Sequence, residues 1–215
     1  AMTYELAHKP EFQEITTATS HLTGERINRF THIHQSVDDL LKKQQMTRLL
    51  CHRVGGCIMR CMGIDVMNAL AVVTYEMDQA LGTDANQHFL KYLGFWQEND
   101  ITANCAQTDV KGDRSRRPHE QEDPDLYLHV VEARDDGIIV RGAKCSITMA
   151  SYADEIIVVP TRHMPEDDKD YAVSFAIPAD HENVYMINRA VWLRERKKIK
   201  APLNNFGVSD SFVIF

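Results

Sequence analysis

Five cysteines in 215 residues are too few for the disulfide framework of a small secreted domain. No apolar run approaches the roughly 20 residues that a membrane-spanning helix needs. Basic residues are not in excess. The 24 Lys and Arg stand against 31 Asp and Glu, and the net charge of −7 gives nucleic acid no global attraction. The N-terminal stretch AMTYELAHKPEF lacks a basic flank followed by an apolar core, which argues against a signal peptide. There is no internal repeat and no low-complexity tract. Together these absences point to a reducing cytoplasm, to free or metal-bound thiols, and to no membrane or nucleic-acid partner. Apolar residues make up 44% of the chain, which is enough for a real core.

The texture changes along the chain. Ser36 precedes Val37-Asp38-Asp39, a capping residue followed by two carboxylates at the positive end of a helix dipole. Val37, Leu40, Leu41, Leu49 and Leu50 largely keep helical spacing, and Gly55-Gly56 breaks it. A second helix is predicted over Cys57 to Leu81, interrupted near Gly63 and capped in its longer part by Asp65, with Gly82 as its stop. A third is predicted over Asn86 to Gln97. After Asn99-Asp100 strand patterns take over: Leu126–Val131, then the turn signal Asp135-Asp136-Gly137, then Ile138–Val140. Further strands are predicted over Arg141–Thr148, Glu155–Val159, Tyr171–Ile177, Val184–Ile187 and Ser211–Phe215. Helices first and strands afterwards predict an α+β chain. Residues 1–102 are read as an α-helical domain and 103–215 as an antiparallel, sandwich- or barrel-like β domain. Ending on an unprotected apolar strand is unusual for a natural domain, so a fragment is expected.

Two stretches carry candidate chemistry. In GCIMRCMGID, Cys57 and Cys61 stand four residues apart. On a helix their Cβ atoms would be about 5–6 Å apart on one face, close enough to serve one metal cluster. That is wide for a disulfide, whose Cβ atoms are about 3.5–4.5 Å apart. Spacing alone favours packed thiols over ligands, since most metal motifs show further cysteines or histidines nearby. The second stretch is Gln107-Thr108-Asp109-Val110-Lys111-Gly112-Asp113-Arg114, continued by Arg116 and Arg117. Its glycine, hydroxyl, carboxylates and cations suit a pyrophosphate or the polar edge of a flavin, and they equally suit a solvated loop. Ser146 and Thr148 lie on a strand that is a second candidate lining. The bland reading holds for His32 and His34, for Cys105 and Cys145 as packed thiols, and for Trp96 and Trp192 as packing residues. Glu195-Arg196-Lys197-Lys198 reads as a solvated charge run.

INRFTHIHQSVDDLLKK, GCIMRCMGID, TYEMDQALGT, TDVKGDR, DPDLYLHVVE, DGIIVRGAK and DKDYAVSFA together resemble the N-terminal part of the 4-hydroxybutyryl-CoA dehydratases. These enzymes share a larger family with the flavin-dependent 4-hydroxyphenylacetate 3-monooxygenases. TDxKGDR and DGIxVRGAK mark the broad family, and CxxxC marks the dehydratase branch. The resemblance implies an acyl-CoA-dehydrogenase-like fold whose C-terminal helical domain is absent here. It implies FAD contacted by Gln107, Thr108, Asp109, Lys111, Gly112, Asp113, Arg114, Ser146 and Thr148. It also implies a [4Fe-4S] cluster with Cys57 and Cys61 as two of four ligands, the rest coming from the absent domain. The implied reaction converts 4-hydroxybutyryl-CoA to crotonyl-CoA and isomerises vinylacetyl-CoA, using flavin one-electron chemistry. Thr148 is then the local catalytic candidate, as a hydrogen-bond donor near flavin and thioester. An acyl-CoA substrate and a homotetramer are implied as partners, with the chain on its own expected to be inactive. The alternatives are an FAD-dependent aromatic hydroxylase, in which both cysteines are structural, and a non-catalytic fragment.

Overall fold

The computed structural model describes residues 9–54, 60–189 and 209–215. Contacts divide the chain into two units, residues 1–102 and 103–215. Trp192 and the charge run at 195–198 lie outside the described residues, as does Cys57.

The first unit is helical. It begins with α1 (Pro10–Thr16) and the short antiparallel ribbon β1 (Thr17–Thr19) and β2 (Arg26–Asn28), followed by a 3-10 turn at Arg29–Thr31. Three longer helices follow: α2 (Val37–Val54), α3 (Cys61–Leu81) and α4 (Ala85–Glu98). Ser36 caps α2 as expected: the Asp39 amide donates to Ser36 Oγ at 3.1 Å, and Ser36 Oγ donates back to Asp39 Oδ2 at 3.0 Å. Asp65 is not a cap. The helix runs unbroken from Cys61 through a buried Gly63, and Asp65 lies inside it, 3.5 Å from Lys43 Nζ. Gly82 ends α3 in the left-handed region at φ 66°. The carboxylate that starts α4 belongs to the preceding helix, since Asp78 accepts from the amides of Ala85 and Asn86 at 2.9 and 3.0 Å. Phe30, Met46, Ile64, Met67 and Trp96 form the buried centre of this unit, so Trp96 packs as expected.

Burial leaves a titratable cluster beside α2. His32 Nε2 is 3.4 Å from Asp39 Oδ1, and the Arg29 guanidinium is 3.8 Å from the same oxygen. Burial holds the His32 imidazole below its ordinary 6.5, against the pull of Asp39. Asp39 is itself pushed up by burial, but the Gln35 amide, the Ser36 hydroxyl and His32 bring it down to about 2. The unfolded chain therefore takes up His32's proton first, and stability falls as pH drops below about 6.5. The Asp39 contribution is present above about 3.9 and is lost as pH falls toward 2. We expect a lower urea midpoint at pH 5 than at pH 7.5, with the slope reduced in His32→Asn. An unchanged slope in that variant would refute the assignment.

The second unit is built from strands: β3 (Ala103–Ala106), β4 (His129–Arg134), β5 (Gly137–Arg141), β6 (Ala143–Thr148), β7 (Glu155–Val158), β8 (Phe175–Pro178), β9 (Tyr185–Asn188) and β10 (Asp210–Ile214). They form a hairpin, β4-β5, and two three-stranded sheets ordered β6-β10-β9 and β3-β7-β8. All pairings are antiparallel except β3 with β7. The sheets share one core, to which Ala106, Ile156 and Val158 come from one and Ile147 and Val213 from the other, as in a sandwich.

Several strand expectations shift. Leu126–Val131 becomes a 3-10 turn at Pro124–Leu126 and then β4, because Pro124 starts a turn that the Asp123 carboxylate caps at the Asp125 amide. Tyr171–Ile177 becomes a 3-10 segment at Glu166–Tyr171 and then β8, since Pro165 and three acids set a helical first turn. Gly142, at φ 135°, separates β5 from β6. The turn at Asp135-Asp136 stands as expected. The apolar strand at 211–215, expected to be unprotected, is the central strand of its sheet, paired on both edges.

Candidate functional site: a cationic pocket in the second unit

The loop after β3 holds the polar stretch singled out above. Lys111 and Gly112 are both left-handed, with φ 78° and 46°. A Cβ on Gly112 would come within 2.4 Å of Gln121 Oε1 and 2.7 Å of Leu126 Cδ1, so a side chain there would displace both, on a left-handed backbone that favours glycine. Gln121 closes the loop on itself. Its Oε1 accepts from the Asp113 amide at 3.0 Å, and its Nε2 donates to the Asp113 carbonyl at 2.8 Å.

Beneath the loop lies a buried ion pair. Asp109 bridges in antiparallel fashion to Lys144 of β6, and both side chains are 3% exposed. Lys144 Nζ spends its three donors on Asp109 Oδ1 at 2.5 Å, the Val159 carbonyl at 3.1 Å and the Gln107 carbonyl at 3.2 Å. Thr161 Oγ donates to Asp109 Oδ2 at 2.6 Å or to the Gln107 carbonyl at 2.5 Å. Cys145 is drawn into the same frame: its amide donates to the Thr108 carbonyl at 2.8 Å, and its thiol lies 3.2 Å from the Asp109 carbonyl.

Above this floor opens a cavity of about 210 Å³ lined by Asp109, Lys111, Arg114, Tyr127, Thr161 and Arg162. The Tyr127 hydroxyl ties two walls together, donating to the Lys111 carbonyl at 3.3 Å and accepting from Arg162 Nη2 at 3.2 Å. The Arg162 guanidinium also lies over the Tyr127 ring, 5.6 Å from its centre. Because Lys144 already balances Asp109, the cations Lys111, Arg114 and Arg162 leave the cavity net positive. Such a volume accommodates a diphosphate, and guanidinium forks with hydroxyls are the donors that phosphate oxygens take.

Of the residues singled out in the sequence, Asp109, Lys111 and Arg114 meet in this cavity. Gln107 and Thr108 contribute backbone carbonyls to its frame, and Gly112 and Asp113 shape the turn. Ser146 is exposed in the left-handed region, at φ 55°, and Thr148 Oγ donates to Asp210 Oδ1 at 2.8 Å. Neither lines this cavity. Arg116 lies 3.6 Å from Asp113, and Arg117 is bound to Asp168. Tyr127, Thr161 and Arg162 were not foreseen. Pro160 before Thr161-Arg162 signals a strand end, but nothing in their local pattern points to a shared pocket.

The cysteine pair is divided by what is described. Cys61 is the first residue of the 21-residue helix α3 and is partly buried. A helix N-terminus favours a thiolate, which suits a cluster ligand. Cys57 is outside the described residues. Among the described residues, no group of three or more His, Cys, Asp and Glu side chains is placed to hold a metal ion, His32 and His34 included. No helix among them is long and apolar enough to cross a membrane.

The profile of the family described as 4-hydroxyphenylacetate 3-hydroxylase, N terminal, matches residues 1–215. The chain belongs to this family. Within it, the chain is 46% identical over 220 residues to 4-hydroxybutyryl-CoA dehydratase/vinylacetyl-CoA-Δ-isomerase of Clostridium aminobutyricum. That alignment covers all of this chain and 45% of the relative. Among solved structures, an oxygen-tolerant archaeal 4-hydroxybutyryl-CoA dehydratase from N. maritimus superposes with a TM-score of 0.88 at 37% identity, over 100% of this chain and 43% of that one. The oxygenase component of 4-hydroxyphenylacetate 3-monooxygenase, complexed with FAD, superposes at 0.78 and 26% identity, over 100% of this chain and 44% of that one. The chain is thus homologous to the N-terminal region of the dehydratases, and it spans about 45% of the length of the curated relative at 46% identity.

Proposed function

We propose that this chain supplies the N-terminal portion of an FAD- and [4Fe-4S]-dependent dehydratase acting on 4-hydroxybutyryl-CoA, with vinylacetyl-CoA Δ-isomerase activity. The observation that carries the reading is the net-positive cavity walled by Lys111 and Arg114 of the TDVKGDR segment, in a chain 46% identical to such an enzyme. In this reading Lys111, Arg114 and Arg162 hold a diphosphate, of the flavin or of coenzyme A. Thr161 and Tyr127 supply neutral donors that fix its orientation, and the Asp109–Lys144 pair keeps the floor rigid and dry. Cys61 and, before it in the sequence, Cys57 would be two of the ligands that hold the cluster. Thr148, on β6, would offer the flavin or thioester the hydroxyl hydrogen that it gives to Asp210 here. When bound, the flavin supplies reversible one-electron chemistry and the cluster supplies Lewis acidity toward the departing hydroxyl. The acyl-CoA substrate, a homo-oligomeric assembly and a cytoplasmic setting complete the proposal.

The test is anaerobic purification of the full-length enzyme that contains this chain, native and as Cys61→Ser, followed by iron, sulfide and flavin analysis. Iron per chain should fall at least severalfold in the variant while flavin is retained, and water loss from 4-hydroxybutyryl-CoA should cease. Full iron content in Cys61→Ser would sink the cluster assignment. Oxygen-dependent hydroxylation of a phenol with added reduced FAD would instead favour the aromatic hydroxylase.

A further inference from the structure

The cavity is held in shape by a carboxylate that does not line it. Asp168 lies in the 3-10 segment Glu166–Tyr171, and its side chain is fully buried. Two residues of the Lys111–Gln121 loop converge on it. Arg117 Nε donates to Asp168 Oδ2 at 2.7 Å, and Arg117 Nη2 reaches the same oxygen. His119 donates its backbone amide to Asp168 Oδ1 at 3.2 Å, and its Nδ1 lies 2.7 Å from that oxygen. Arg117 Nη2 also donates to the His163 carbonyl at 3.2 Å, next in sequence to Arg162 of the cavity wall. Both oxygens of a buried carboxylate are therefore committed to one loop. That loop carries Lys111 and Arg114, while the segment holding the carboxylate begins just after Thr161 and Arg162.

Other features support a built junction over an accidental ion pair. Burial pushes the Asp168 carboxyl up, but the bonds from His119 and Arg117 outweigh it and hold the group below its usual range. Pro118 opens the 3-10 turn Pro118–Glu120, and the Glu120 carboxylate accepts from the Arg117 amide at 2.7 Å, which presets the turn that presents His119. On the other side, Tyr171 meets Tyr127 edge to face at 6.4 Å. The segment carrying Asp168 thus contacts the cavity wall from behind as well.

We infer that Asp168 is a positioning residue for the cationic cavity: through Arg117 and His119 it sets where Lys111 and Arg114 stand relative to Arg162, and so the cavity's affinity for a diphosphate-bearing ligand. The inference rests on the reading of the cavity as a diphosphate site. It assigns Asp168 no contact with the ligand. A loop that carries two cations and is free to drift would keep its charge and lose the fixed spacing that phosphate oxygens require. The electrostatic attraction would survive in part, and the bidentate geometry would not.

The experiment is calorimetric titration of the native protein with inorganic pyrophosphate, in parallel with thermal unfolding. The variants are Arg114→Ala, Asp168→Asn, Arg117→Lys and the double variant Arg114→Ala/Asp168→Asn. Arg114→Ala should weaken pyrophosphate at least tenfold, and Asp168→Asn should weaken it about tenfold. The double variant should lose less than the sum of the two single losses, because part of what Asp168→Asn removes is the placing of Arg114, while the placing of Lys111 is still lost. Arg117→Lys keeps the charge at a side chain that is one-third exposed, and so guards against misfolding of Asp168→Asn. A single ammonium cannot span Asp168 and the His163 carbonyl as the fork does, so this variant should also weaken binding severalfold. Native affinity in Arg114→Ala would overturn the diphosphate reading and the inference with it. Loss in Arg114→Ala with native affinity in Asp168→Asn and Arg117→Lys would overturn the inference alone. Additive losses in the double variant, tracking a fall in unfolding temperature, would reduce Asp168 to a purely structural role and also overturn it.

Discussion

Replacing Lys144 by methionine should lower the stability of the second unit by about 3–5 kcal/mol, measured by urea unfolding. The substitution keeps the aliphatic stem and removes the ammonium. What remains is Asp109, 3% exposed, with Thr161 as a neutral donor and without the ammonium that its carboxylate contacts directly. An uncompensated carboxylate in such a place must either stay charged at high cost or take up a proton, and both weaken the fold at neutral pH. The carbonyls of Gln107 and Val159 also lose their donor. The pair itself need not be strongly stabilising, because desolvation of two ions offsets much of their attraction. Lys144→Met combined with Asp109→Leu should therefore recover most of the loss, while leaving the cavity without its fixed floor. A single Lys144→Met variant within about 1 kcal/mol of the native protein would show that water reaches Asp109 and that the floor is not dry.

Gly142→Ala should cost about 3 kcal/mol or more, for a reason that is steric and not electrostatic. At φ 135° the position suits glycine alone. A Cβ there would lie 2.6 Å from Leu128 Cα, 2.6 Å from the Tyr127 carbonyl oxygen and 2.8 Å from the Leu128 nitrogen. All three are backbone atoms, so no side chain can rotate away to relieve the contact. Gly142 also exchanges two backbone hydrogen bonds with Phe215, at 3.0 and 3.4 Å, which hold it in place. Because the strained neighbour is Tyr127, pyrophosphate affinity should fall along with stability. Gly137→Ala is the control: its added Cβ meets nothing within 4 Å, and its cost should stay below about 1 kcal/mol. Equal effects of the two substitutions would refute the steric account.

What could be read in advance divides along the range of the interactions. Helices α2 and α4 were legible because their signals are local: Ser36 ahead of two acids, and apolar residues at helical spacing. The hairpin at Asp135-Asp136 was legible for the same reason. The loop from Gln107 to Arg114 announced itself by composition, and three of its residues do line a cavity. The other half of that cavity was not legible. Tyr127, Thr161 and Arg162 come from two further segments and are joined only by folding, through one tyrosine hydroxyl. The cap of α4 was missed for a similar reason, since Asp78 belongs to the preceding helix and reaches across the turn. Misplaced strands trace to prolines at 124 and 165, whose short turns displaced β4 and β8 toward higher numbers. Nothing in the acidic run Glu166-Asp167-Asp168 marks Asp168 apart from its neighbours, yet its side chain is fully buried.

The central place of β10 bears on how the second unit is made. Its neighbours β6 and β9 both precede it in the chain, and the hydroxyl of Thr148 meets the carboxylate of Asp210 across 62 positions. A nascent chain on the ribosome therefore displays two unfilled strand edges until residues 210–214 emerge. During that interval a chaperone, or a foreign strand, has the most to bind.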